Sequence, residues 1–564
     1  MNLTDTADRW WKNAVFYCAD VQTFLDFDGD GQGDLRGMLH RVDYLADLGI
    51  TCLWLMPFYP TAGRDDGYDI TDFYGVDPKL GSAGDFVELV RTCHSRGIRI
   101  VVDFVMNHTS DGHRWWKEAV GSTESPFRDW YVWRSSTPPD TSKQVVFPDQ
   151  EDAIWDKDPA SGEWYLHNFY KTQPDLNLAN PAVRDEVMRT MGYWLQLGVD
   201  GFRIDAVPFL FAQDQVPRKE QKFPPFDPHD YLRNLKAFAD RRNGTAMFLG
   251  EVNLPYPQMA EFFGSGDADE LSMQFDFIGM QATYLSMARG DTRPLAKALR
   301  ERPRIDPGSQ WANFMRNHDE LTLDKLSKAE RQEVFDAFGA NKDMQLFDRG
   351  LRRRLPPMLG GDERRIRMAY SLIFSLPGTP VLFYGEEIGM GENLDVPGRL
   401  SVRTPMQWQP GDNAGFSTSG RRSLVRPVTE GAYGPDEINV ARQRSDPDSL
   451  WSFVQRLISR YRQSPEIGWS SVEVLDPGDR RVLAHVCRKD EWSLVALHNF
   501  AAEPVEVTVE VPGLKRGSQL VDLLTPGTPP RLETGARGRI TLMMPAYGYA
   551  WWRVVVEDDR RIDH

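Results

Sequence analysis

The chain has 564 residues, 41% apolar and 26% charged, the balance of a globular protein with room for two or three domains. Lys and Arg number 66 against 82 Asp and Glu, and the formal charge of −16 excludes nucleic acid and anionic membrane surfaces as main partners. Four scattered cysteines, Cys18, Cys52, Cys93 and Cys487, with no CxxC pair, argue against zinc or a disulfide framework and fit a cytoplasmic protein.

The opening MNLTDTADRWWKNAVFY lacks the charged-then-apolar order of a signal peptide, and no apolar run approaches the roughly 20 residues that span a bilayer. From there, short apolar, β-branched runs alternate with segments of helical period, the pattern of a parallel α/β fold. The spacing predicts eight strands, at 14–24, 50–57, 98–108, 199–207, 245–252, 273–277, 311–320 and 379–389. One intervening helix is expected over 184–198. It would turn Val187, Met191, Trp194 and Leu195 to one face and stop at Gly198.

Eight such units suggest a closed (β/α)8 TIM barrel, whose site lies at the C-terminal ends of the strands. Polar residues gather there in strand after strand: Asn107 and His108, Arg203 and Asp205, Glu251, His318 and Asp319. A doubly wound sheet would concentrate ligand chemistry at one switch point instead. Residues 1–108 and 179–471 form the expected barrel. Residues 109–178, rich in Trp, Pro and Asp, are too long for a plain βα loop and predict an inserted subdomain. From 472 to 564 the helical period gives way to VEVLD, RVLAHVC, WSLVALHNF, VEVTVEV and GYAWWRVVV, which predict a C-terminal antiparallel β-sandwich.

Two carboxylates at adjacent strand ends match what glycosidic cleavage with retention requires, a nucleophile and a proton donor about 5–5.5 Å apart. Asp205 closes DGFRID and Glu251 closes FLGEV. Arg203, two residues before Asp205 and on the same strand face, would keep the nucleophile ionised, or would simply form a structural ion pair with it. NHDE at 317–320 adds Asp319 beside His318, and neutral imidazoles at His108 and His318 suit sugar hydroxyls. The high aromatic content, 12% with 17 Trp, fits either a large aromatic core or a site that stacks on sugar rings.

DFVMNH, QPDLN, DGFRID, GEVN and RNHDE, in this order, resemble the signature regions of the α-amylase family of glycoside hydrolases. The resemblance implies Asp205 as nucleophile, Glu251 as general acid/base and Asp319 as transition-state stabiliser. His108, Arg203 and His318 would line the donor glucose, and in RDDGYD Asp65 and Tyr68 would close a blind pocket, with Tyr68 stacked on the ring. Stretches such as PFYPTAGRDDGYDI, FMRNHDELTL, RRRLPPMLGGDERRI and SLPGTPVLFYGEEIGMG are similar to the trehalose-synthase branch, which isomerises maltose to trehalose. That likeness places Arg399 and Glu392 in an acceptor-shaping loop.

Three segments depart from the branch pattern: VPFLFAQDQVP at 207–217, EVNLPY at 251–256, and RLSVRTPMQW with Leu400 and Ser401 where Asp and Gly are usual. They carry fewer charges and are expected to face the acceptor. A small-molecule α-glucoside substrate is expected, without an organic cofactor. The residues leave open an isomerase or transglucosidase, an α-glucosidase using water, and, from another class, a non-catalytic amylase-like interaction protein, which would predict lost carboxylates.

Asp26, Asp28, Asp30 and Asp34 in DFDGDGQGD alternate as oxygen ligands for a hard cation would. The run resembles half an EF-hand, with Gly37 in place of the terminal Glu. It also resembles the calcium loop of oligo-glucosidases, which implies the Gln32 carbonyl as a further ligand to a structural calcium ion. A second calcium site of the trehalose-synthase branch is not expected, because Ala212 replaces its carboxylate.

Overall fold

Eight short parallel strands close on one another in sequence order. They are β1 (Phe16–Ala19), β2 (Cys52–Leu55), β3 (Arg99–Phe104), β4 (Gly201–Ile204), β5 (Met247–Gly250), β6 (Met273–Phe275), β7 (Gln310–Asn313) and β8 (Thr379–Phe383). The computed structural model describes residues 9–266, 268–420, 423–525 and 530–555, with backbone alone over 211–214; the Ala212 side chain lies outside what is described. β8 pairs back onto β1 through Val381 and Phe16, which completes the barrel.

The strands are three to six residues long, so the polar residues expected at strand ends stand in the loops just beyond. In the first run, strand gives way after Ala19 to a one-turn helix, because the Asp20 side chain accepts from Gln22 N at its start. β4 approaches β5 so closely that a Cβ at Gly201 would stand 2.4 Å from the Met247 carbonyl oxygen. The predicted helix runs Pro181–Gln196, started by Asn180 as N-cap and Pro181 at its first turn. Val187, Met191 and Trp194 are buried along it, Leu195 is half-buried, and Gly198 adopts φ 100° beyond its end.

Between β3 and β4 the chain leaves the barrel and forms a three-stranded antiparallel sheet from Trp133–Arg134, Trp155–Lys157 and Trp164–Leu166. It has its own small core of Val132, Ile154, Trp155, Leu166 and Val216. The excursion is stitched shut where it began: Leu176 N donates to Asn107 O at 2.8 Å and Thr109 N to Pro174 O at 3.2 Å.

The C-terminal strands are all antiparallel. β9 (Val472–Leu475), β10 (Val482–Lys489), β11 (Trp492–Asn499), β13 (Gln519–Asp522), β14 (Arg531–Glu533) and β16 (Tyr549–Val554) form one sheet, ordered β9-β10-β11-β16-β13-β14. β12 (Val505–Glu510) and β15 (Arg539–Met544) form a ribbon that packs Val507, Val509 and Ile540 against Val486, Val495 and Leu497 of that sheet. The alternation of buried and exposed residues along β12 shows why the ribbon has one wet face. The sheet docks on the barrel through Trp551 Nε1 to Ser371 Oγ at 3.0 Å and the buried Arg553–Glu466 pair at 3.0 Å. Among the described residues no helix is long and apolar enough to cross a membrane, and the four cysteines are buried free thiols.

Candidate active site

The site is organised around one buried guanidinium. Arg203 on β4 lies opposite Asp103 on β3, and its Nη1 donates to Asp103 Oδ1 at 2.8 Å and to Asp205 Oδ1. Its Nη2 donates to Glu251 Oε2 at 2.7 Å. Asp103 is in turn fixed by Trp54 Nε1 at 2.8 Å. The structure therefore brings together Asp205, Glu251 and Arg203, and adds Asp103, which the sequence reading passed over although it opens DFVMNH. Its strand register with Arg203 is the signal that finds it.

Ala206, just after Asp205, has φ 50°, a conformation costly for a residue with a Cβ. That turn aims Ala206 N at Glu251 Oε2, 3.2 Å away. Burial is the largest influence on both carboxyls. It lifts Asp205 to about 6, against the opposing charge of Arg203 and with help from Asp103. It lifts Glu251 to about 7, with the charges of Asp205 and Asp319 adding to the rise.

Asp319 behaves oppositely. Burial works against its charge, but His318, Arg399 and Arg403 together hold its carboxyl well below the usual range. Arg399 Nη1 donates to Asp319 Oδ1 at 2.6 Å, and Arg403 Nη2 to the same oxygen at 3.1 Å. His318 Nε2 stands 3.1 Å from Asp319 Oδ2 and 2.7 Å from the Tyr68 hydroxyl, with the Tyr68 ring parallel to the imidazole at 5.6 Å. Burial lowers both His108 and His318 to about 4, so both are neutral at pH 7. His108 Nε2, His318 Nδ1 and Asn253 Oδ1 are buried without a hydrogen-bond partner among the described residues.

Asp65 is half-buried and joined to Arg399 Nη2 at 2.8 Å and to Gln173 Nε2 at 2.9 Å, so QPDLN reaches the site through its first residue. Asp175 in the same motif is buried against Asn168 instead, and burial raises its carboxyl to about 7.

A cavity of about 340 Å³ opens above the carboxylates, lined by Glu251, Asp319, Asn253, Phe209, Phe147 and Arg349 among others. Its polar lining also includes Glu320, Thr322 and Asp324, which follow NHD in the chain. Each of the three divergent segments lends this space a residue, Phe209, Leu254 and Arg399, but the expectation that their changed positions all face it is corrected: Val252 is fully buried in the core. Tyr256 turns away to donate to Asp276 Oδ1 at 2.8 Å. Leu400 lines a different cavity, and Ser401 is buried, donating to Arg352 O at 3.0 Å. Glu392 also lies elsewhere, paired with Arg353 Nε at 2.8 Å and accepting from Arg354 N at 2.8 Å.

In the acidic loop, one carboxylate oxygen each from Asp26, Asp28 and Asp34 gathers within 4.8 Å. Asp30 is not among them; its carboxylate accepts from Gln32 N at 2.7 Å. Asp26 is tied across the molecule to the Ser417 hydroxyl, and Asp34 caps the helix Leu35–His40 through Gly37 N at 2.8 Å.

The model of the α-amylase catalytic domain matches residues 21–468, and that of the sucrose hydrolase-like C-terminal domain matches 492–553. The chain is 36% identical to a trehalose synthase/amylase of Mycobacterium tuberculosis, over 97% of this chain and 91% of that protein. It is 31% identical to an oligo-1,6-glucosidase of Heyndrickxia coagulans, over 88% and 93%. The solved α-amylase of H. orenii superposes with a TM-score of 0.76 at 26% identity, over 96% of this chain and all of that one. With the barrel closed and the carboxylates assembled, the chain belongs to the α-amylase family and is an enzyme of it.

Proposed function

We propose that this enzyme transfers a terminal α-linked glucose through a covalent glucosyl-enzyme, interconverting maltose and trehalose with hydrolysis alongside. The observation that carries this reading is the bonding of Asp205 and Glu251 to the two terminal nitrogens of Arg203. Carboxylates held that close suit attack and protonation on one glycosidic bond, the arrangement of retaining enzymes. Asp205 is largely ionised near neutrality and attacks the anomeric carbon, while Glu251, kept partly protonated by burial, gives its proton to the leaving oxygen. Glu251 then takes a proton from the acceptor hydroxyl as the ester to Asp205 breaks. Asp319, ionised throughout, and neutral His108 and His318 grip the donor hydroxyls, with Tyr68 against the ring.

An isomerase must retain the released glucose while it turns and must keep water out. The cavity supports retention because Asn253, Glu320, Thr322, Asp324 and Arg349 offer hydroxyl partners. Arg349 is braced by Val146 O at 2.7 Å and Glu320 at 3.3 Å. Phe147, Phe169 and Phe209 form its apolar wall. The relative named trehalose synthase/amylase supports trehalose as a product, and the one named oligo-1,6-glucosidase supports water as a competing acceptor. Incubation with maltose, trehalose and sucrose separately, with products identified by NMR, tests the reading. Trehalose from maltose and maltose from trehalose support it; glucose alone from maltose and trehalose, and glucose with fructose from sucrose, favour the α-glucosidase.

The acidic loop is read as a structural calcium site. Its three gathered carboxylates are acceptor-only and of like charge, a donor set that a hard cation satisfies. A cytoplasmic setting is supported by the buried free thiols.

A further inference from the structure

The segment after β4 belongs to two parts of the molecule at once. Its first residues are tied to the catalytic frame: Val207 N donates to Glu251 O at 3.3 Å and Phe209 N to Ala206 O at 2.9 Å, and Phe209 enters the wall of the catalytic cavity. Its later residues, 215–222, lie against the inserted subdomain. Val216 is buried there and completes the subdomain's own core with Val132, Ile154, Trp155 and Leu166. Arg134 Nη1, on the inserted sheet, donates to Gln215 O at 3.4 Å. Lys222 Nζ donates to Asp129 Oδ1 at 2.5 Å, an exposed pair that adds little strength.

Glu220 is the centre of this seam. Its Oε2 alone accepts from Ser135 N at 2.8 Å, Ser135 Oγ at 3.1 Å and Ser136 N at 3.3 Å, the two residues that follow the strand Trp133–Arg134. Hydrogen bonds, that from the Ser136 side chain foremost, hold its carboxyl at about 2, so it stays an ionised acceptor near neutral pH. The crevice left between 215–222 and the subdomain is about 50 Å³, too small for a sugar, so the seam is a joint and not a ligand site.

The subdomain is hinged at its base, where the Leu176–Asn107 and Thr109–Pro174 bonds join it to the barrel. A part hinged at one edge is kept shut by what holds it elsewhere. Arg349 does so from within the catalytic cavity, through Val146 O at 2.7 Å. The 215–222 segment does so from outside, since Val216, Glu220 and Lys222 do not line that cavity. A change at Glu220 therefore reaches the acceptor only through the position of the subdomain. What is held in place is the acceptor wall: Phe169 of the subdomain meets Phe209 at 5.1 Å, beside Phe147.

Resting on the glucosyl-transfer reading, we propose that 215–222 is a strap that keeps the inserted subdomain closed over the acceptor, and that Glu220 is the positioning residue that latches it. The latch sets how the glucosyl-enzyme divides between two fates. With the wall shut, the retained glucose turns and its hydroxyl oxygen bonds to the anomeric carbon, Glu251 takes the hydroxyl proton, and Asp205 leaves as carboxylate. With the wall ajar, glucose escapes and water takes the same step.

Maltose turned over in the presence of isotope-labelled glucose tests this. The wild type should make trehalose that carries little label. Glu220→Ala should raise both the glucose-to-trehalose ratio and the labelled fraction of trehalose by about fivefold or more, because glucose then leaves and enters before the ester breaks. Glu220→Gln should stay within about twofold of the wild type in both, since the donors meet a single oxygen that an amide oxygen can replace. A defect that merely lowers the amount of active enzyme moves neither ratio. Val216→Ala, which loosens the strap from its core side, should shift both ratios the same way and stands in if Glu220→Ala does not fold. Ratios unchanged in Glu220→Ala and Val216→Ala overturn the proposal, and so does a Glu220→Gln variant as leaky as Glu220→Ala. A wild type that isomerises maltose while these variants match it sinks this inference alone; a wild type that makes no trehalose from maltose sinks the isomerase reading with it.

Discussion

Asp103 and Arg203 face each other across the β3–β4 pairing, and the nitrogen of Arg203 that Asp103 holds is the one that also reaches Asp205. Asp103 is fully buried and makes no contact a substrate could share, so it positions the guanidinium. Its charge also raises the carboxyl of Asp205. Asp103→Asn should therefore lower kcat/KM on the order of tenfold, as loss of an outer partner does at other sites. It should also move the acid limb of the pH profile to lower pH, which a purely structural role would not do. An acid limb that stays in place or moves up would refute this assignment.

Asp205→Asn is expected to abolish turnover of maltose and of an aryl α-glucoside by several powers of ten while leaving the fold intact, since amide and carboxylate are nearly equal in volume. Circular dichroism with steady-state rates checks both halves. Near-wild-type rates would remove Asp205 from the chemistry.

The pH dependence of kcat/KM should be a narrow bell. Activity rises as Asp205 loses its proton at about 6 and falls as Glu251 loses its own at about 7. Both belong to a pair sharing Arg203, so the limbs report the pair. With an activated aryl glucoside, whose leaving group needs little protonation, Glu251→Gln should retain the acid limb and lose the alkaline one. An alkaline limb surviving in that variant would assign it to another group.

Chelation should lower the melting temperature by several degrees while changing initial kcat little, because the loop at Asp26, Asp28 and Asp34 anchors the segment after β1 and Ser417 rather than touching the carboxylates of the reaction. Elemental analysis should find one calcium per chain. A metal-free protein with an unchanged melting curve would count against the site.

Glu386, buried after β8, has its carboxyl raised by burial to about 8. The folded state therefore favours its protonated form, and ionisation costs stability progressively as pH rises from the unfolded value of about 4.5 to about 8. Glu386→Gln removes that titration. Its melting temperature relative to wild type should climb across this window and level off above it. A flat difference from pH 5 to 9 would contradict the buried, protonated state.

The barrel was legible in the sequence because its strands are buried on both faces, so each reads as an unbroken apolar run with a polar residue just past its end. Strand length was not: Asp20 caps a one-turn helix after Ala19, and a turn at Tyr384 and Gly385 ends β8, so these runs stop short of their apolar extent. Asp205, Glu251 and Asp319 stood out as charges where apolar residues end. Asp103 did not, since a charge inside a strand looks like an interruption until the register sets it opposite Arg203. Arg403, Asp66 and Arg426 were invisible for another reason: they meet across more than 300 residues, and no local spacing announces such a pairing. That the single guanidinium of Arg399 spans Asp65 and Asp319 is likewise visible only in the fold.

The two bonds that close the excursion between β3 and β4, Leu176 to Asn107 and Thr109 to Pro174, set its entrance and exit side by side. The barrel thus meets the inserted sheet at a clasp of fixed width, whatever lies beyond it. Residues can be added to or removed from the far end of the excursion without straining β3 or β4, because chain joined at adjacent points carries no stretch to its host. Phe147 and Phe169, which face the acceptor, ride on that replaceable cassette, while Asp205 and Glu251 stay on the frame. The surface that selects the acceptor and the groups that break the bond can therefore change independently over evolutionary time.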